Sequence, residues 1–307
     1  MPAMFTCEKL SKRYGVITAL NSLSLSVEAG IVGLLGPNGA GKSTLISILL
    51  GQTPATSGRA SVCGLDVARR QRMIRQRVGF VPENDCLIPG MTGTGYVCYV
   101  GKLAGMSHSD AMQRTHEVLD YVELDEARYR PAEQYSTGMK QRLKLAQALV
   151  HDPDVLFLDE PTNGMDPQGR RSMLSLIADL GRAGISVLLS SHLLPDVERV
   201  CQRVIIMGGG EVLSSGDIEG MRRPRPTRYT VDFEGDGAEF CRRLSEQQVK
   251  IRTRGNGTTA VELPDIGEEG AILRAARETN TRLRGLHPER SSLEEAFMAA
   301  IERQQNR

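Results

Sequence analysis

Residues 36–44 read Gly36-Pro37-Asn38-Gly39-Ala40-Gly41-Lys42-Ser43-Thr44, and their flanks constrain the fold more than any other feature of the chain. Ile31 to Leu35 is a short apolar run of the buried-strand kind, and Thr44 to Leu50 continues as a helix. A strand, a glycine-rich turn and a helix in that order bring backbone N–H groups and a helix N-terminus to one point, where the macrodipole favours an anion. The glycines let those N–H groups turn inward around phosphate oxygens. Lys42 can then reach the β- and γ-phosphates of a nucleoside triphosphate, and the Ser43 hydroxyl can ligate Mg²⁺. The segment reads as a complete phosphate-binding loop in an α/β fold.

Other parts of the chain support a parallel sheet. Val155-Leu156-Phe157-Leu158 and Ile185-Ser186-Val187-Leu188-Leu189 read as strands buried on both faces, and Val78-Gly79-Phe80-Val81 as another short strand. Residues 4–35 alternate short apolar runs with turns, which predicts a small antiparallel sheet leading into the loop. From about 84 to 150 the pattern is helical, and Val204 to Leu213 reads as a hairpin around Gly208-Gly209-Gly210. With 307 residues the chain is long enough for a large core and a second small domain. A net charge of +1 supplies no global field to attract nucleic acid, and none is expected as a partner. No apolar stretch approaches the roughly 18 residues that span a bilayer, and the N-terminus has no basic-then-apolar pattern of a signal peptide. The six cysteines are scattered without a C-x-x-C pair and read as small buried hydrophobes in a reducing compartment. The cytoplasm is the expected location.

Two further elements carry chemistry. Asp159 and Glu160 follow the run 155–158, at the carboxyl end of a buried strand, where open parallel sheets place their ligands. Asp159 is suited to hold Mg²⁺, and Glu160 to orient and deprotonate an attacking water. Tyr135-Ser136-Thr137-Gly138-Met139 opens a helix that continues through Ala146. A small hydroxyl and a glycine at a helix start can make a second anion site, although taken alone the segment reads better as a plain cap.

Together these motifs resemble the nucleotide-binding subunit of an ATP-binding cassette (ABC) transporter, over about residues 4–221 and in that family's order. Gly36 to Thr44 and Val155 to Glu160 match its two Walker motifs, and Ser136-Thr137-Gly138 matches its signature. Tyr14 resembles the aromatic residue that stacks on adenine, Asn163 to Asp166 the loop linking two sites, and His192 the histidine contacting the γ-phosphate. The resemblance implies a P-loop NTPase fold of the ABC type, with an antiparallel β subdomain and a helical subdomain at about 84–150. It also implies ATP and Mg²⁺ as cofactors. Two nucleotide-binding domains would pair head to tail, as a homodimer or with a related chain, each offering its signature to the other's phosphate loop. Nucleotide contacts are thus expected from Tyr14, Gly36, Pro37, Asn38, Gly39, Ala40, Gly41, Lys42, Ser43, Thr44, Ser136, Thr137, Gly138 and Asp166. Ser43, Glu83 and Asp159 would serve Mg²⁺, and Glu160 and His192 would be catalytic. Glu83 stands where the family has a glutamine, which adds negative charge near the γ-phosphate. This departure, the Ser136 to Arg142 run and the Ser292 to Phe297 run resemble the subfamily serving type-2 ABC exporters. That implies a separate membrane permease as partner, peripheral attachment at the cytoplasmic face of the cell membrane, and export of a drug, lipid, polysaccharide or similar cargo. Two rivals are a soluble ABC ATPase acting on ribosomes or DNA and a non-catalytic regulatory protein. The first lacks its usual second cassette or coiled-coil insertion here, and the second would not need Lys42, Asp159, Glu160 and His192.

Residues 222–228, basic and with two prolines, read as a linker. Beyond it, 229–307 alternates strand and helix in the order βαββαβ plus a final helix, which suggests a small α+β ferredoxin-like accessory module. Gly255-Asn256-Gly257 is its expected hairpin turn, and Ser291 or Ser292 the expected cap of the last helix.

Overall fold

A computed structural model of the chain describes residues 3–221, 224–254, 257–290 and 293–305. Two compact units emerge: Met1–Ile218 with Phe297–Arg307, and Glu219–Ala296.

The first unit opens with β1 (Phe5–Tyr14) and β2 (Ile17–Val27), paired antiparallel. β3 (Ile31–Leu35) follows, buried at every residue, and feeds the glycine loop and α1 (Lys42–Leu49). β4 (Ser57–Val62) and the short β5 (Leu65–Asp66) complete an antiparallel sheet of order β2-β1-β4-β5. The expected antiparallel sheet over 4–35 therefore holds for β1 and β2, while β3 joins a different sheet. Its five-residue apolar run suits burial on both faces, which the alternating β1 and β2 cannot offer.

α2 (Gln71–Arg77) leads into β6 (Val78–Val81). The helical region comprises α3 (Gly93–Leu103), α4 (His108–Tyr121) and α5 (Thr137–Leu149), with short 3-10 turns before α5. The α/β part resumes with β7 (Val155–Asp159), α6 (Pro167–Arg182), β8 (Ser186–Ser191), α7 (Leu194–Val200), β9 (Arg203–Gly208) and β10 (Glu211–Asp217). A one-turn α8 (Ile218–Met221) closes the stretch. The second sheet has the order β10-β9-β3-β8-β7-β6, parallel except for the β9–β10 hairpin. Leu35 pairs with Ser191 and Asp159 with Ser190, so the carboxyl ends of β3, β7 and β8 converge. The two sheets share one core, in which Phe5 of β1 meets Phe157 of β7 edge to face at 6.3 Å.

The second unit contains β11 (Pro224–Glu234), α9 (Gly237–Glu246), β12 (Lys250–Arg254), β13 (Thr258–Glu262), α10 (Gly270–Glu278) and β14 (Arg282–Arg290). Its sheet is antiparallel throughout, in the order β12-β13-β11-β14, over a core that includes Val231, Phe233, Phe240, Val261 and Ile272.

Two boundary expectations need correction. The linker expected at 222–228 is strand from Pro224 onward, while Arg222 and Arg223 lie outside the described residues. Pairing with β13 begins only at Arg228, so the two prolines occupy a stretch unpaired on that side, where a missing N–H costs no ladder bond. α11 (Leu293–Gln305) begins within the second unit, but its residues from Phe297 belong to the first, unlike the single module expected over 229–307. Gln304 lies against Gly208 and Gly209 of the β9–β10 turn, and a side chain at either glycine would collide with it. Gly255 and Asn256 of the expected hairpin turn, and the expected caps Ser291 and Ser292, are outside the described residues. No helix among the described residues is long and apolar enough to cross a membrane.

Candidate nucleotide site

The loop between β3 and α1 is held by its surroundings. Gly39 (φ +81°) and Gly41 (φ +98°) adopt left-handed backbone, which leaves these positions to glycine. A Cβ at Gly41 would also stand 2.6 Å from the Ala19 carbonyl, and one at Gly36 2.6 Å from the Met207 carbonyl. Gly210 N–H donates to the Ala40 carbonyl (3.2 Å) and Asn21 N–H to the Gly210 carbonyl (2.9 Å), which stitches the loop to the β9–β10 turn and to β2. No side chain caps α1, so its first N–H groups remain available to an anion. Lys42 folds over the loop, its Nζ donating to the carbonyls of Gly36 (2.7 Å) and Pro37 (3.3 Å). Burial lowers its pKa, against the opposing pull of Glu160, Asp159 and Glu83.

Asp159 ends β7, is buried, and its Oδ1 has no hydrogen-bond partner among the described residues. Such an orphaned buried acceptor invites an explanation, and a cation is one. Glu160 follows in a left-handed conformation (φ +51°), unusual for its residue type, with its N–H donating to the Ser190 carbonyl. Its Oε2 lies 2.9 Å from Nδ1 of His192, just beyond β8. An ionised carboxylate only accepts, so Nδ1 carries the hydrogen. Burial raises the Glu160 pKa; the His192 hydrogen bond and charge and the Lys42 charge restrain it, and Asp159 adds to it.

These groups line one cavity of about 560 Å³ together with Tyr14, Asn38 to Thr44, Glu83 and Asn163. Gly36 and Pro37 sit behind it as acceptors for Lys42. Sequence reasoning missed Ile17, Thr18 and Ala19, which also line it. The available signal was an apolar strand tip: Tyr14, Val16 and Ile17 are all exposed, and Lys12 Nζ stands 4.8 Å from the Tyr14 ring centre.

Ser136, Thr137, Gly138 and Asp166 do not line this cavity. Ser136 caps α5, its Oγ accepting from Met139 N–H, and Asp166 caps α6, accepting from the N–H groups of Gln168 and Gly169. They are neighbours of each other: a Cβ at Gly164 would stand 3.0 Å from Thr137 Cγ2, and one at Gly138 3.5 Å from Met165 Cε. One chain thus carries a cavity at the uncapped start of α1 and, apart from it, the Ser136-capped start of α5.

Sequence reasoning missed one buried carboxylate, Asp196. Asp196 on α7 is 2% exposed; its Oδ2 accepts from Thr162 Oγ1 and its Oδ1 from Arg170 Nε of α6, both at 2.6 Å. Thr162 lies two residues beyond Glu160, and Asp196 four beyond His192.

Comparison with known proteins agrees with this geometry. Residues 20–163 match the family model described as ABC transporter. The chain is 39% identical over 214 residues to the linearmycin resistance ATP-binding protein LnrL of Bacillus subtilis, covering 69% of this chain and 69% of that protein. The chain belongs to the ATP-binding proteins of ABC transporters. It is also 41% identical over 208 residues to the Nod factor export ATP-binding protein I of Burkholderia lata, covering 67% of this chain and 68% of that protein. A solved dimeric structure of the bacterial ABC transporter cassette MJ0796 superposes with a TM-score of 0.65 at 25% identity, over 70% of this chain and 98% of the other. The same cassette is also known in a post-hydrolysis state with ADP and Pi. As an ABC cassette, the chain is the ATP-binding, ATP-hydrolysing subunit of a transporter.

Proposed function

We propose that the 560 Å³ cavity binds ATP with Mg²⁺, and that two protomers close head to tail over two nucleotides to drive an export permease. The observation that carries this reading is the division within one chain: the phosphate loop, Asp159 and the Glu160–His192 pair share the cavity, while Ser136 to Gly138 stand outside it. A second protomer supplies the missing helix start. The dimeric cassette among the structural relatives supports such pairing.

Each residue then has a role. The N–H groups of Gly39 to Thr44 and the Lys42 ammonium hold the phosphates, and Tyr14 offers its exposed ring to the base. The donor set suits Mg²⁺. Among the described residues no cluster of three or more His, Cys, Asp or Glu forms a cage, but Mg²⁺ takes only one or two protein oxygens beside phosphates and water. Ser43 and Asp159, whose Oδ1 has no partner among the described residues, would supply these, and Glu83 lines the same cavity. When bound, Mg²⁺ neutralises charge on the β- and γ-phosphate oxygens. Glu160 accepts the proton of the attacking water, and the raised pKa makes it a stronger base than a free carboxylate. His192 Nδ1–H holds that carboxylate in place. Ser136 to Gly138 of the partner protomer contact the γ-phosphate, and Asp166 links the two sites. That contact exists only while the phosphate is present, so ATP favours the closed dimer and hydrolysis releases it.

The export-type relatives support an efflux direction, with the permease carrying cargo selectivity and holding this chain at the cytoplasmic face of the membrane. The second unit's βαββαβ order and its β12-β13-β11-β14 sheet support a ferredoxin-like accessory module that aids dimerisation or regulation. The test uses Glu160→Gln. With ATP and Mg²⁺ it binds nucleotide, turns over slowly and elutes from size-exclusion chromatography as a dimer. Adding Ser136→Arg abolishes the dimer but leaves nucleotide binding to the monomer. Monomeric elution of Glu160→Gln under saturating nucleotide, or a dimer indifferent to Ser136→Arg, refutes the composite site.

A further inference from the structure

Lys144 is fully buried on α5, and the mechanism above gives it no task. Its Nζ donates to the backbone carbonyls of Pro82 (2.8 Å) and Glu83 (3.0 Å), in the loop after β6. Its neighbours on α5 continue the pattern. Gln147 Nε2 donates to the Phe80 carbonyl (2.6 Å), and Lys140 Nζ reaches the Asp85 carboxylate (3.0 Å). Just past α5, His151 Nε2 meets the Val78 carbonyl at 3.2 Å. The spacing 140, 144, 147, 151 follows one helix face, and the acceptors run along an edge strand and its exit loop. α5 therefore covers the open edge of the parallel sheet with side-chain donors where another strand would pair. Leaving an ammonium unsatisfied in the interior is costly, so Lys144 and the Pro82 and Glu83 carbonyls hold one another in place.

We propose that Lys144 is a positioning residue that clasps the Glu83 loop to α5, so that Glu83 in the cavity wall and the helix start Ser136 to Gly138 move as one body. Engagement of the α5 N-terminus by a partner's nucleotide is then felt at Glu83 without a separate conformational step. The functional part of this inference rests on the ATPase reading; the clasp itself does not.

The experiment compares Lys144→Met, Lys144→Arg and wild type in the full chain. Backbone hydrogen exchange over residues 80–86 is measured without nucleotide, and steady-state ATPase with Mg²⁺. For Lys144→Met we expect exchange at 80–86 to accelerate at least tenfold while β3 and β8 stay protected. We expect kcat to fall about tenfold with KM for ATP within twofold, and Lys144→Arg to restore both. If Lys144→Met does not fold, Lys144→Gln, which keeps a donor without the charge, serves for the same readouts with a smaller expected loss. Wild-type exchange at 80–86 overturns the clasp. Accelerated exchange with unchanged kcat, or kcat and KM changing together with general loss of protection, overturns the positioning role. A wild-type chain without ATPase would instead refute the proposed function, and the exchange comparison would still decide the clasp.

Discussion

Replacing Asp196 by alanine should destabilise the first unit and slow turnover, and its magnitude follows from the exposure of its partners. Asp196 is 2% exposed with both oxygens occupied, and Thr162 is 3% exposed. Removing the carboxylate leaves the Thr162 hydroxyl buried without an acceptor, which costs about 1–3 kcal/mol. Breaking a fully buried ion pair from one side costs about 3–5 kcal/mol. The Arg170 side chain is 28% exposed, however, and can turn part of its guanidinium to water. We therefore expect about 3 kcal/mol in all, the lower end of that range. For a unit of this size that is a fall in Tm of about 6–12 °C. Equilibrium urea unfolding gives the energy, and native-state hydrogen exchange at 160–170 and 192–200 shows that the transition belongs to the first unit. A double-mutant cycle with Thr162→Val should show coupling of at least about 1 kcal/mol, since the two share a hydrogen bond. A loss below about 1 kcal/mol for Asp196→Ala, or strict additivity in the cycle, would refute the reasoning. Thr162 and Asp196 follow Glu160 and His192 closely in the chain, so the same substitution should also lower kcat.

Lys42→Ala deletes a charge-assisted contact to phosphate worth about 1.5–3 kcal/mol, so calorimetry should show ATP binding weakened roughly 10- to 100-fold; unchanged affinity contradicts the assignment. Burial lowers the His151 pKa, with the hydrogen bond to Val78 and the Asp152 charge opposing, so the folded chain favours the neutral ring. Below its ordinary value of about 6.5 the unfolded chain takes up a proton that the folded one does not. Stability is therefore full above that value and falls as pH drops toward the folded pKa, and His151→Phe should flatten this limb of a Tm-against-pH curve. Gly79→Ala would drive a Cβ into the Ala148 carbonyl of α5 and Leu156 Cδ2. We expect a loss of about 1–3 kcal/mol by urea unfolding, since helix backbone cannot yield as a side-chain tip does.

The parts of the site legible from sequence were those whose local rules agree. An apolar run, glycines at positions that prove left-handed, and a helix start made the loop readable, and an acid pair following the four-residue apolar run 155–158 placed Asp159 and Glu160. The Asp196 network was illegible because Thr162 and Arg170 lie 34 and 26 residues away, and no spacing rule joins them. Lys144 is one basic residue among Lys140 and Arg142 on the same helix, and nothing in their spacing marks it out; only packing against the sheet edge shows it to be buried. β11 was shortened because Pro224 and Pro226 look like strand breakers until one knows that β13 stops short of them. The split of α11 between two units leaves no mark in its sequence.

That split has a practical consequence. The second unit is an inserted body joined to the first by two covalent crossings, one before β11 and one within α11. A stop codon near 222 would amputate native cassette along with the insert, uncovering the glycine turn on which Gln304 rests. A faithful excision removes 219–296 alone and keeps the C-terminal part of α11 with the cassette.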